Sequence, residues 1–248
     1  HLLLEPQSTN LIPYSEDFSQ WTTQGAISTT SNYGISPDGE NNSTRIFFSG
    51  ASQQIYKNFT SSSGVTGSIY IKGNNGETIK FGVTGGEEIF TLNGDWQRLT
   101  TYSSNSTTRL TINTFSGTAR DVQVWGAQVE VSSYATSYIP TSGSAVTRNQ
   151  EICNNSGTVN DFNSEEGVLY FEGSVLDIST PNSWISVSED ANFNSNQFNL
   201  RFVAGINLIQ AVSRAGGLGQ DVVLQHTLSD KTTINKIAIK YKLNDWAL

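Results

Sequence analysis

Apolar and polar residues alternate along most of this chain, in short runs bounded by Gly, Asn and Ser. In the first half the clearest runs are Gly67-Ser68-Ile69-Tyr70-Ile71-Lys72, Thr78-Ile79-Lys80-Phe81-Gly82-Val83, Arg109-Leu110-Thr111-Ile112-Asn113-Thr114 and Asp121-Val122-Gln123-Val124-Trp125. In the second half they are Gly167-Val168-Leu169-Tyr170-Phe171-Glu172, Trp184-Ile185-Ser186-Val187, Phe198-Asn199-Leu200-Arg201-Phe202 and Lys236-Ile237-Ala238-Ile239-Lys240-Tyr241. A period of two sends successive side chains to opposite faces of a strand and turns the apolar set toward a core. The 3.6-residue period of helices is almost absent. Many short strands at close spacing predict an all-β chain with two β-sandwich (jelly-roll) domains rather than βαβ units.

Turn residues punctuate the runs. Lys72-Gly73-Asn74-Asn75-Gly76-Glu77 reads as a hairpin turn, and Asn93-Gly94-Asp95 is a second turn signal. Ile139-Pro140-Thr141-Ser142-Gly143-Ser144 is linker-like, and polar sequence continues through Asn154-Asn155-Ser156-Gly157. A boundary near Arg148 is therefore expected, with domains over residues 1–148 and 149–248. The last strand signal, Trp246-Ala247-Leu248, lies at the end of the sequence. A sandwich stopping there would leave an edge unpaired. Together with the opening His1-Leu2-Leu3-Leu4 and the lack of Met, this reads as a piece of a longer protein whose second domain is incomplete, so that either more chain follows or another subunit supplies the missing strand.

Composition narrows the function. With 36% hydrophobic and only 15% charged residues, the chain has the apolar content to fold. The net charge is −8, and Lys72, Lys80, Arg98, Arg109 and Arg120 are scattered. A nucleic-acid binder would show a basic stripe, so no nucleic-acid partner is expected. No run of ~18 apolar residues occurs, and neither a membrane-spanning segment nor a signal peptide is expected. Cys153 is the only cysteine, so no intrachain disulfide forms. A lone cysteine of this kind reads as a small buried hydrophobe.

Catalytic chemistry has little to work with. A Ser–His–Asp set would need His226, the only internal histidine, which sits in the polar Gln225-His226-Thr227 and reads as a solvated turn residue. There is no Gly-x-Ser-x-Gly elbow, no zinc spacing, and no Gly-Lys-Ser/Thr beside Gly85-Gly86 or Gly216-Gly217-Leu218-Gly219. Structural calcium needs only oxygen ligands, which Asp17, Asp121 and Glu130 offer without a ligand-loop spacing. Glycoside hydrolysis needs two carboxylates across the scissile bond. The pairs Glu87-Glu88 and Glu165-Glu166 are adjacent, so each would point to opposite faces of a strand. No catalytic residue, metal site or cofactor is therefore assigned, and the chain is read as non-enzymatic.

Aromatics are the enriched feature: 5 Trp, 9 Tyr and 12 Phe. Aromatic planes stack against sugar rings. Trp21, Tyr33, Tyr56 and Tyr102 lie beside polar or turn residues, which makes them the candidate glycan-binding side chains. Trp96 leads a strand and is expected in the core. Asn-x-Ser/Thr triplets begin at Asn42, Asn58, Asn105 and Asn154, and chance accounts for them in a chain this rich in Asn, Ser and Thr.

Two long segments carry a resemblance. Leu3-Leu4-Glu5-Pro6-Gln7-Ser8-Thr9-Asn10-Leu11, followed by Tyr14-Ser15-Glu16-Asp17-Phe18-Ser19-Gln20-Trp21, resembles the opening of a module of phage structural proteins, with Ser8 where that opening usually carries Arg. Trp125-Gly126-Ala127-Gln128-Val129-Glu130, Thr136-Ser137-Tyr138-Ile139-Pro140-Thr141 and Val146-Thr147-Arg148 resemble its close. Between them, Ile69-Tyr70-Ile71-Lys72 and Asp95-Trp96-Gln97-Arg98 are similar to carbohydrate-binding jelly rolls. Those relatives often end in an Asp-bearing strand linked to structural calcium, and Trp125 occupies that region here. Glu166-Gly167-Val168-Leu169-Tyr170, Asn235-Lys236-Ile237-Ala238-Ile239-Lys240-Tyr241 and Asn244-Asp245-Trp246-Ala247-Leu248 resemble the laminin-G or concanavalin-like sandwiches that follow this module. The resemblance implies a virion structural protein of decoration or fibre type. Its partners would be other virion proteins, further copies of itself and host-surface glycans, and its place the outer surface of the virion. The alternative is a carbohydrate-binding module of a secreted or tail-borne depolymerase. An enzyme using surface carboxylates is the third reading.

Overall fold

The computed structural model describes residues 5–115, 118–151, 165–175, 183–188, 197–214, 220–242 and 245–247. Its contacts divide the chain into two compact units, His1–Cys153 and Asn154–Leu248. Among the described residues the helical content is one 3-10 turn, Phe18–Gln20, opened by Asp17, whose carboxylate accepts from the Ser19 amide. Cys153, Asn154, Gly216–Gly219 and Leu248 lie outside the described residues.

The first unit carries β1 (Ser8–Asn10), β2 (Thr22–Gln24), β3 (Ile27–Gly34), β4 (Ser43–Phe48), β5 (Gln53–Asn58) and β6 (Val65–Gly73). It continues with β7 (Thr78–Val83), β8 (Glu88–Thr91), β9 (Gln97–Ser103), β10 (Arg109–Thr114), β11 (Arg120–Glu130) and β12 (Val146–Arg148). Two antiparallel five-stranded sheets form, one in the order β2-β5-β10-β7-β8 and the other β3-β4-β11-β6-β9. From β4 onward most connections cross between the sheets. The two inner faces therefore close on one core of Ile46, Phe48, Ile55, Ile69, Ile71, Ile79, Phe81, Leu110, Ile112, Val122 and Val124. This is the sandwich that the period-two runs predict.

Crossing between sheets corrects one local reading. The Gly73–Glu77 turn forms, with the Glu77 amide donating to the Asn74 carbonyl at 3.1 Å, but it joins β6 of one sheet to β7 of the other and makes no hairpin. The turn chemistry fixes a reversal. The next strand's sheet follows from packing, because Ile79 and Phe81 must face Ile69 and Ile71 across the core. A Cβ at Gly73 would stand 2.5 Å from Leu92 Cδ1 and 3.0 Å from Val122 Cγ1, so a larger residue at the crossing would displace these buried side chains. Asn93-Gly94-Asp95 is a turn as expected, with Asn93 Oδ1 accepting from the Asp95 amide and Gly94 at φ +92°.

A second correction concerns Ile139–Ser144. This segment is packed into the first unit and is no linker. Ile139 and Thr141 are buried, Ser142 bridges to Tyr14, and β12 beyond it pairs with β1 in the register Ser8↔Arg148. Arg148 is bound to Glu5 at 2.5 Å, inside the first unit.

In the second unit, β13 (Glu166–Gly173), β14 (Ser183–Ser188), β15 (Gln197–Phe202), β16 (Leu208–Arg214), β17 (Gln220–Thr227), β18 (Asn235–Lys242) and β19 (Asp245–Ala247) form two antiparallel sheets. Their orders are β13-β18-β19 and β14-β15-β16-β17. Ile237 and Ile239 turn to the core while Ala238 faces out, as the alternation predicts. The Phe171 and Phe202 rings meet at 5.4 Å and join the two sheets. The surroundings of Leu248, on which the incomplete-domain expectation turns, lie outside the described residues.

Candidate functional site

Each sheet of the first unit has an outward face, and the two differ. On the β3-β4-β11-β6-β9 sheet, chain folds back over the outward side. Trp125, Gln128 and Glu130 point away from the core yet are buried. A bulge in β11 between Trp125 and Gln128, with Gly126 at φ +64°, sets this outward row. Trp125 packs on Tyr138 at 4.5 Å and on Tyr70 at 5.4 Å. The Glu130 carboxylate accepts from Gln128 Nε2 at 2.7 Å, from the Thr136 amide at 2.9 Å, from the Thr136 hydroxyl, and from Ser8 Oγ at 2.5 Å. The two ends of the first unit, Ser8 on one side and Gln128–Thr136 on the other, thus meet in a polar layer on this sheet. These residues hold the fold closed.

The outward face of the β2-β5-β10-β7-β8 sheet is different. Register places Thr22 beside Tyr56, Tyr56 beside Thr111, and Thr111 beside Gly82. One row along, Gln24, Gln54, Asn113, Lys80 and Ile89 lie side by side. Most of these side chains are half-buried or exposed, with Thr111 buried among them at the centre. Arg109 stacks on the Tyr56 ring at 4.0 Å. Gln54 donates to Gln24 Oε1 at 2.5 Å and accepts from Thr111 Oγ1 at 3.3 Å. The result is an aromatic–guanidinium stack flanked by a row of polar side chains, in which Gln24, Gln54 and Thr111 are bonded to one another. Amides and hydroxyls match sugar hydroxyls as donors and acceptors, and an aromatic with a fixed ring supplies contact area at low entropy cost.

The four aromatics singled out in the sequence do not come together. Trp21 is a correction: it is 5% exposed, packs on Phe18 at 4.8 Å, and its indole Nε1 donates to the Tyr14 carbonyl at 2.9 Å. Its one polar atom is satisfied internally, so the polar neighbours in sequence gave no sign of its burial. Tyr33 is 49% exposed and Tyr102 45%, on opposite edge strands of the other sheet. Four strand spacings of about 4.8 Å put those edges ~19 Å apart. Tyr33 lies beside Arg45, which is held by Asp121 at 2.6 Å. Only Tyr56 lies on the amide face. Trp96, expected in the core, is half-buried and donates to the Ile35 carbonyl at 3.1 Å.

Comparison with known proteins adds little. No protein-family model and no curated protein matches the chain. A solved structure, the tripod (BppUct-A-L) from the baseplate of bacteriophage Tuc2009, aligns over 90% of this chain and 97% of that chain at 13% identity. The TM-score is 0.27. A likeness this loose transfers neither fold nor function.

The acidic candidates are dispersed. Asp17 caps the 3-10 turn, Asp121 pairs with Arg45, and Glu130 is enclosed by its donors, so the three offer no shared ligand set. Among the described residues no three His, Cys, Asp or Glu side chains cluster as a metal site. Glu87 accepts from the Gly85 amide at 3.0 Å beside the Gly85-Gly86 turn, and Glu166 pairs with Lys242 at 3.7 Å. His226 is exposed as expected, but on a strand and not a turn, opposite Ile209. Sequence reasoning missed Arg109, Gln24, Gln54, Asn113 and Lys80. Each is ordinary in its own run, and only cross-strand register assembles them.

Proposed function

We propose that this chain is a non-enzymatic structural and adhesive component of a bacteriophage virion, with the amide face of its first unit holding host-surface glycan. The observation that carries the virion reading is the pairing of the two ends of the first unit. The segments that resemble the opening and close of the phage module lie 117 to 129 positions apart, yet bond directly through Asn10 to Ala127, Val129 and Ile139. That closure explains why both segments occur together and in order. Other virion proteins and further copies of this chain would be its assembly partners. One member of each acidic pair is engaged, Glu87 at a turn and Glu166 in a cross-strand ion pair, which suits a scaffold better than a hydrolase.

The adhesive part rests on the face around Tyr56 and Arg109. A carbohydrate-binding module of a depolymerase would use the same face, and a hydrolase domain in the parent reading frame would identify it. The virion reading is tested by immunogold labelling of purified phage particles with antibody against this chain. Labelled particles are expected, and unlabelled particles from a lysate containing the protein would reject it.

A further inference from the structure

We infer that the amide face of the first unit selects acidic polysaccharide over neutral glycan; this rests on the glycan reading above. The chain carries net charge −8, with 22 acidic against 14 basic residues. An acidic protein would repel a polyanion unless its contact face were locally cationic. Among the strand residues on the outward side of this sheet the charged side chains are Lys80 and Arg109, with Glu87 beyond the strand at the β8 end. Asn113 is Lys80's cross-strand neighbour, and Arg109 is four residues from Asn113 along β10. That separation is about 13 Å along the strand. Between the two cations stand Asn113, Thr111, Gln54 and Tyr56, all uncharged.

Among the described residues neither cation has an ion-pair partner, whereas Arg45 pairs with Asp121, Arg148 with Glu5, Lys236 with Glu172 and Lys242 with Glu166. Arg109 contacts the Tyr56 ring, which fixes the guanidinium plane without cancelling its charge. The nearest acidic side chains in the sheet, Glu87 and Glu88, stand at its β8 edge, where Glu87 is tied to the Gly85 amide. Two unpaired cations separated by amides form a pattern complementary to a polymer that repeats a carboxylate or sulfate along a hydroxyl-rich chain. A neutral glycan would use the amides and Tyr56 and leave both charges idle.

Native gels containing polygalacturonate, heparin or dextran test this on the full chain. Both acidic polymers are expected to retard the protein at low salt, with retardation lost as salt rises, and dextran to have much less effect. Lys80→Gln with Arg109→Gln should weaken retardation by the acidic polymers about tenfold. Arg109→Lys should retain most of it, and Lys72→Gln on the other sheet should change nothing. An unchanged melting temperature shows that the variants fold. Equal retardation by dextran, insensitive to these substitutions, overturns the acidic preference and leaves the glycan reading standing. No retardation by any polymer, with the protein folded, overturns both.

Discussion

Asn10 and Ile139 lie 129 positions apart, and the Asn10 side-chain amide donates to the Ile139 carbonyl at 2.8 Å. The same amide group donates to the Ala127 carbonyl at 3.1 Å, while its oxygen accepts from the amides of Ile12 and Val129, each at 3.1 Å. One fully buried side chain therefore satisfies four main-chain groups in three segments. Substituting Asn10→Ala strands those groups in the interior, at ~1–3 kcal/mol for each that water cannot reach. We expect at least ~3 kcal/mol in total, a melting temperature lower by roughly 6–12 °C. Thermal unfolding followed by circular dichroism measures it, and a fall of under ~2 °C would contradict this role.

Glu130 extends the same closure. Its carboxylate meets only donors, from Gln128, Thr136 and Ser8. Glu130→Gln keeps the shape but takes the charge out of all of these bonds, and with its NH2 toward the Ser8 and Thr136 hydroxyls it makes both turn from donating to accepting. The expected cost is about 1–3 kcal/mol, read as a lower denaturant midpoint with unchanged slope. A midpoint matching the parent protein would show that the buried layer tolerates a neutral amide.

How much was readable from sequence follows from which interactions are local. β6, β7, β10, β11, β13, β15 and β18 all cover runs marked by period-two alternation. Alternation survives because each of these strands has one face on a core. The Gly73–Glu77 connection was misread because turn residues dictate a reversal and say nothing about which sheet receives the next strand. Ile139–Ser144 was misread because its polar residues are satisfied by partners more than a hundred positions away, such as Thr141 by Ser15. The candidate face failed to appear for a related reason: Tyr56 and Arg109 become neighbours only through the β5–β10 register. Trp21 carried the opposite error, an apparently wet aromatic whose indole N–H is met inside.

The second unit offers a contrast between burial and charge. Ile239 is fully buried, with Leu200, Phe202 and Ile209 in the same core cluster. Two ion pairs lie on the same outward face of β13 and β18, one at each end: Glu172–Lys236 at 3.5 Å and Glu166–Lys242 at 3.7 Å, all four side chains about half exposed or more. Exposed pairs contribute ~0–1 kcal/mol, whereas a buried Ile→Ala costs ~2–5 kcal/mol. Ile239→Ala should lower the denaturant midpoint clearly, and the double change Glu172→Ala, Lys236→Ala should leave it almost unmoved. Equal effects would mean that the ion pairs, rather than the core, hold this sheet.

The last prediction concerns Tyr138. Its hydroxyl donates to Glu16 Oε1 at 2.8 Å and lies 2.6 Å from Ser15 Oγ, with the ring against Trp125. Burial pushes the phenol well above the ordinary tyrosine range; the hydrogen bond to Ser15 opposes this, while the Glu16 and Asp38 carboxylates reinforce it. A raised folded-state value means that the unfolded chain releases this proton first, near pH 10, while the folded unit still holds it. Stability from this group is therefore complete below about pH 10 and declines as pH rises above it. Each proton so withheld steepens the decline by about 1.4 kcal/mol per pH unit. Tyr138→Phe cannot ionise, so its stability should fall less steeply above pH 10 by about that slope, even though it starts lower for want of the Ser15 and Glu16 contacts. Other tyrosines, including Tyr134, whose burial also raises it, contribute equally to both proteins. Urea unfolding of both proteins between pH 8 and 11.5 makes the comparison, and parallel stability curves across that window would show that the Tyr138 hydroxyl titrates alike in both states.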